Sequence, residues 1–199
     1  MERIYLKQEE IDKLINHRRW VDHIERYLLI RRFVYGNVVD LGCGTGYGTK
    51  LLSENPDVSK VTAFDINKES LEFGRNEYQY NNKVELTNSL DHLKHLEKDG
   101  VDVMIALELI EHIKDPSEFY KYVEMLDPNI AIISFPNKPS VKYNPFHHHD
   151  YRRQDVCDIM NGYIAVKHLD INDVTIMIFI KAPRKMPKEI YHNILDLWH

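Results

Sequence analysis

Cysteine is nearly missing from this chain. Only Cys43 and Cys157 occur in 199 residues, far apart and outside any C-x-x-C spacing. That excludes a disulfide-stapled scaffold and a cysteine-built zinc site, and it fits a reducing cytoplasm. Both thiols are expected to be packing residues. Long apolar runs are missing too: stretches such as "VTIMIFI" at 174–180 fall far short of the ~20 residues that span a bilayer. Charged residues follow Met1 directly, so a soluble, unprocessed, cytoplasmic protein with no membrane span is expected. Positive charge is not in surplus either. With 26 Lys and Arg against 31 Asp and Glu, the formal net charge is −5, which leaves no overall pull toward nucleic acid or anionic lipid. Internal repeats and low-complexity tracts are absent, and a chain of this length fits one domain better than two.

What is there is an alternation. From Gln8 to Phe33, apolar residues recur at three- and four-residue intervals (Ile11, Leu14, Ile15, Val21, Ile24, Tyr27, Leu28), the pattern of one or two amphipathic helices. Strands are predicted at 37–42 "NVVDLG", 60–65 "KVTAFD", 83–88 "KVELTN", 101–108 "VDVMIALE" and 129–136 "NIAIISFP". Helices are predicted in "GTKLLSEN", in "NKESLEFGRNEYQYN" and in "DPSEFYKYVEML", the last capped by Asp115 with Pro116 at its first position. Strands and helices in this rhythm make βαβ units, hence a parallel sheet with helices on both faces. After a helix near 152–161, two β-rich runs joined by "DIND" read as an antiparallel hairpin. The loop 135–150, "FPNKPSVKYNPFHHHD", is long and punctuated by proline, and loops of that length in compact domains are often functional.

The segment "VVDLGCGTGYGT" at 38–49 places a glycine turn between a strand and a helix, where backbone N–H groups can face a ligand. A dinucleotide fingerprint, G-x-G-x-x-G, does not fit: counting from Gly42 puts Tyr47 at the third glycine, and counting from Gly44 puts Thr49 there. The pattern is D-x-G-x-G-x-G, Asp40 through Gly46. A carboxylate at the mouth of the turn would repel a pyrophosphate by roughly 1 kcal/mol per charge pair even in water. S-adenosylmethionine, with a sulfonium and an ammonium, suits it better. Asp65, ending the second strand, can accept both ribose hydroxyls, and Ile66 can cover the adenine. The expected cofactor contacts are therefore Asp40, Gly42, Cys43, Gly44, Gly46 and Tyr47 in the turn, Asp65 and Ile66, Ser89 (with Asn88) after the third strand, and Leu107 ending the fourth.

These stretches, together with "VTAFDINKESLEFGR", "ALELIEHIKDPSEFY", "ISFPNK" and "NPFHHHDYRRQDV", resemble the class I S-adenosylmethionine-dependent methyltransferases over about residues 23–182. The likeness is nearest to the group containing ubiquinone-biosynthesis O-methyltransferases and enzymes of surface-glycan assembly. It implies an α/β, Rossmann-like three-layer sandwich whose seven-stranded, mostly parallel sheet has an antiparallel last strand. It also implies a single methyltransferase domain: an N-terminal helical lid over 1–35, a core over 36–182 and a tail over 183–199. A small-molecule or glycan hydroxyl is the expected acceptor.

A second constellation follows the fourth strand. "ELIEHI" sets Glu108 and Glu111 three residues apart with His112 adjacent, at the sheet edge where open α/β folds hold ligands. His112 can act as general base toward a hydroxyl, with the glutamates beside it. The same groups, with His149 or His147 from the loop, can hold Mg²⁺, Mn²⁺ or Zn²⁺. That arrangement is similar to small-RNA 2′-O-methyltransferases, whose E-x-x-E-H segment and downstream histidine hold a metal. An RNA acceptor is thus the second reading, and a cofactor-binding partner subunit without turnover the third. The competing structural reading is that the glutamates favour a helix dipole and the loop histidines are solvated. Arg18, Arg19 and Trp20 could touch an anionic acceptor, and Tyr143, Asn144 and Phe146 could line its pocket.

Overall fold

The computed structural model describes residues 4–13, 18–96 and 100–181. Seven strands form one sheet: β1 (Gly36–Leu41), β2 (Val58–Phe64), β3 (Val84–Thr87), β4 (Val103–Leu107), β5 (Ile130–Pro136), β6 (Tyr163–Ile171) and β7 (Val174–Lys181), in the order β3-β2-β1-β4-β5-β7-β6. The first five run parallel, and β7 is antiparallel to both neighbours. The hairpin turn carries Asn172 in a left-handed conformation (φ 52), a position asparagine tolerates better than most residues. The expected architecture is the observed one.

Side-chain alternation along the strands builds two cores. Val38, Ile105, Ile132 and Ile178 face one layer with Phe33 and Leu52, while Val39, Met104, Ile133 and Phe179 face the other with Phe119 and Val156. Strands covered on both faces need continuous apolar runs, which is why β4 and β5 read as unbroken hydrophobic stretches. The helices are α1 (Gln8–Lys13), α2 (Arg18–Ile30), α3 (Tyr47–Ser53), α4 (Lys68–Glu77), α5 (Leu90–His95), α6 (Pro116–Leu126) and α7 (Arg153–Ile159). Asp115 caps α6 by accepting from the Ser117 N–H at 2.9 Å, with Pro116 at the first position. The helix α5 is absent from the sequence expectation. It is one turn and a half, too short for a periodic signal, and is started by Ser89, whose hydroxyl accepts from the His92 N–H at 3.2 Å.

The strand order reverses between β1 and β4, which opens a crevice at their carboxyl ends. Among the described residues no helix is long and apolar enough to cross a membrane. The expected tail at 183–199 lies outside the described residues, as do the side chains of Arg18, Arg19 and Trp20.

Candidate active site

Two cavities occupy that crevice. The smaller, about 80 Å³, lies between α2 and the glycine turn and is lined by His23, Arg26, Tyr27, Cys43, Gly44, Tyr47, Leu107 and Glu108, among others. The larger, about 430 Å³, has apolar walls from Leu41, Phe64, Ile66, Leu109, Ile113 and Tyr122, with His112, Lys114, Glu118 and His148 supplying polar groups. Gly42 and Asp65 border both. A ligand with one polar, zwitterionic end and one flat, apolar end would pass between these two residues.

The turn brings its backbone to the ligand side. Gly42 takes φ 75, and a Cβ there would stand 2.8 Å from a Leu109 methyl; Gly44 takes φ 59 with no atom within 4 Å of the Cβ position, so its backbone is open to the crevice. Asp65 is 2% exposed and ties the turn to β2: its carboxylate accepts from the Gly44 N–H at 2.9 Å and the Asn67 N–H at 2.8 Å. A carboxylate has about four acceptor directions, the chemistry that suits ribose hydroxyls. Ile66 is 68% exposed on the wall of the larger cavity, the placement of an apolar cover for adenine.

Asp40 is placed differently from its expected position at the mouth. It is 0% exposed and points beneath the turn, where its carboxylate accepts from Thr49 Oγ1 at 2.6 Å and Tyr27 Oη at 3.3 Å. Burial pushes its pKa up to about 6 against the two hydroxyl donors, with Asp65 adding to the rise. On β1 it shares a face with Val38, under α2 and α3, so strand parity turns it away from the ligand. Besides Asp65, the smaller cavity is lined by a second acid, Glu108. It sits in the left-handed region (φ 51), held by Ser134 on β5. Its N–H donates to the Ser134 hydroxyl at 2.9 Å, and that hydroxyl donates to Glu108 Oε1 at 2.9 Å. Burial raises the Glu108 pKa, and the Arg26 charge opposes the rise. Arg26 is only 5% exposed and bonds His23. A guanidinium and a carboxylate at one cavity suit the carboxylate and ammonium of a methionine moiety.

Across the turn after β4, Glu111 is 1% exposed and neither of its carboxylate oxygens has a hydrogen-bond partner among the described residues. Burial, and then the charge of Glu108, raise its pKa well above the ordinary range. His112 and His147 each bring a nitrogen within 4.8 Å of it. The His112 Nδ1 lies 3.0 Å from the Phe146 carbonyl. A carbonyl only accepts, so the proton is on Nδ1 and the lone pair is on Nε2. Burial lowers the His112 pKa, which keeps that lone pair available. Of the two loop histidines expected as a fourth metal ligand, His149 stands elsewhere: its Nε2 donates to the Lys114 carbonyl at 2.8 Å. Glu108 faces the other cavity and is not part of the Glu111, His112 and His147 group.

Cys43, Tyr47 and Leu107 line the smaller cavity, while Gly46 starts α3. Ser89 caps α5, and neither it nor Asn88 lines either of these two cavities. Tyr143 and Phe146 are exposed on the loop without lining either cavity. The residues that sequence reasoning missed are chiefly Arg26 and His23. Their signal was present: His23, Arg26, Tyr27 and Ile30 follow the spacing of the buried face of α2, so a charge occupies a core position. The α6 wall, Glu118 and Tyr122, had no local signal.

The family described as "Methyltransferase domain" matches residues 35–173. Among curated relatives, a small RNA 2′-O-methyltransferase of Rattus norvegicus is 31% identical over 140 residues, which are 61% of this chain and 34% of the relative. The mitochondrial ubiquinone biosynthesis O-methyltransferase of Dictyostelium discoideum is 29% identical over 120 residues, 54% of this chain and 37% of the relative. The chain thus spans about a third of the length of these relatives. The N-methyltransferase NodS of Bradyrhizobium japonicum, solved with S-adenosyl-L-homocysteine, shares the fold at a TM-score of 0.63 and 14% identity, covering 87% of this chain and 97% of that one. The family match extends over well more than half of the sequence, and the chain belongs to that methyltransferase-domain family.

Proposed function

We propose that the chain methylates a hydroxyl of a small molecule or sugar, with His112 as the general base. The observation that carries this reading is the lone pair on His112 Nε2, at the wall of the cavity that Asp65 also borders. The Dictyostelium relative, named for O-methylation, supports it. Bound S-adenosylmethionine supplies a methyl group on a positively charged sulfur. In this reading the residues of the chain hold and align the reactants. Asp65 takes the ribose, Arg26 and Glu108 take the amino-acid end, Gly42 and Gly44 let the ligand lie against backbone, and Ile4 with α2 covers the methionine end. Alignment supplies most of the acceleration, and His112 removes the hydroxyl proton as attack begins. Labelled cofactor offered with panels of phenols, sugars and amines tests the acceptor: methyl transfer to amines but to no hydroxyl would overturn the proposal.

The orphaned carboxylate of Glu111 favours a second reading, in which a divalent cation binds there and at His112 Nε2 and the acceptor is an RNA ribose, as the name of the rat relative suggests. The donor set, one carboxylate and imidazole, fits Mn²⁺ or Zn²⁺ better than Mg²⁺. Chelator and metal-addition assays with RNA and small-molecule acceptors separate the two. Activity on RNA that is lost with chelator and restored by Mn²⁺ would replace the first reading.

A further inference from the structure

The loop between β5 and α7 is closed by a directed chain of hydrogen bonds. Asp150 Oδ1 accepts from the Ser140 N–H at 2.5 Å, the Val141 N–H at 3.0 Å and the Ser140 hydroxyl at 3.2 Å. With its proton given to Asp150, the Ser140 oxygen must accept from His147 Nδ1, 2.7 Å away. That places the His147 proton on Nδ1 and makes its Nε2 an acceptor, facing Asn144 Nδ2 at 2.9 Å. The other end of the chain demands the same direction. The Asn144 amide cannot turn round, because its Oδ1 accepts from the Phe146 N–H at 3.0 Å. Both ends agree, so His147 is a neutral strut with both nitrogens engaged, although it lies beside Glu111.

The consequence falls on His112. Asn144 pins the N–H side of Phe146, and the carbonyl of Phe146 is the group 3.0 Å from His112 Nδ1. A second tie, His148 N–H to the Glu111 carbonyl at 2.8 Å, holds the loop against the same turn. Neutral imidazole has two tautomers, and the bond made by one nitrogen decides which form is present. We infer that Asn144 is a positioning residue: through His147 and the Phe146 carbonyl, it locks His112, a residue of the cavity lining, in the tautomer that carries its lone pair on Nε2. The inference rests on the reading that His112 Nε2 serves the reaction, and the lock is needed whether that lone pair takes a proton or a cation.

The test uses the full chain labelled with ¹⁵N at histidine and saturated with S-adenosyl-L-homocysteine, read by long-range ¹H–¹⁵N spectra alongside kinetics. The parent chain should show His112 protonated at Nδ1. In Asn144→Ala, His112 should move toward a mixture of tautomers, and kcat should fall about tenfold, the size seen when such supporting bonds are removed, with cofactor affinity unchanged. Ser140→Ala breaks the chain from its other end and should act in the same direction. Lys142→Ala, on the same loop but outside the chain of bonds, should leave the His112 spectrum as it was. If Asn144→Ala and Ser140→Ala both keep the Nδ1–H signature and the parent kcat while folding normally, the inference is overturned. A changed His112 spectrum with unchanged turnover upholds the lock and sinks the role of His112 as base instead.

Discussion

Replacing Asp40 by asparagine should shift stability in favour of the variant, relative to the parent, as pH rises from acid to neutral. The parent carboxylate is wholly buried beneath the glycine turn, and burial lifts its pKa from the ordinary 3.8 to about 6 despite donors from Thr49 and Tyr27. The folded state therefore holds the proton to a higher pH than the unfolded chain. Stability from this residue is intact below about pH 4 and is lost as pH rises through about 6, where the acid must ionise in place. The gap between 3.8 and about 6 corresponds to about 3 kcal/mol, or a shift of roughly 6 to 12 °C in Tm for a chain of this size. Asparagine cannot ionise and escapes that loss, whatever its own packing costs. Urea unfolding of both proteins at pH 4 and pH 7 gives the answer, because the packing difference cancels between the two conditions. The stability difference should move in favour of Asp40→Asn by about 2.5 kcal/mol between the two pH values, since part of the gap is already expressed at pH 4. A difference constant to within about 0.5 kcal/mol would refute the buried, weakly screened carboxylate and return Asp40 to the mouth of the turn.

Asp65→Ala should weaken S-adenosyl-L-homocysteine binding by ~1.5 to 3 kcal/mol through loss of charge-assisted contacts; calorimetry showing parent affinity would remove its ribose role. Arg26→Ala should weaken S-adenosyl-L-homocysteine about tenfold or more and leave 5′-methylthioadenosine, which lacks the amino-acid end, bound as before. Equal losses for the two ligands would assign Arg26 to packing. Because burial lowers the His112 pKa, the acid limb of the kcat/KM profile should fall at a pH below the ordinary histidine value of about 6.5. A limb above that value, or one unmoved in His112→Gln, would place the base elsewhere.

Most of the architecture could be read along the chain, since burial writes a local pattern. Two-sided burial made β4 and β5 continuous apolar runs. The cap of α6 announced itself in Asp115 and Pro116, and Asp65 at the end of β2 and the glycines after β1 marked where a nucleoside could lie. What the sequence could not show was where the side chains around that crevice point. Asp40 turned under the loop, Ser89 was consumed as a cap, His147 rather than His149 came to Glu111, and Arg26 arrived from a helix closed over β1. Spacing along a chain determines which elements form and which of their faces are apolar. Which polar groups meet at the crevice was decided only by packing those elements together, because the partners are brought close by the burial of other residues and not by their own separation in sequence.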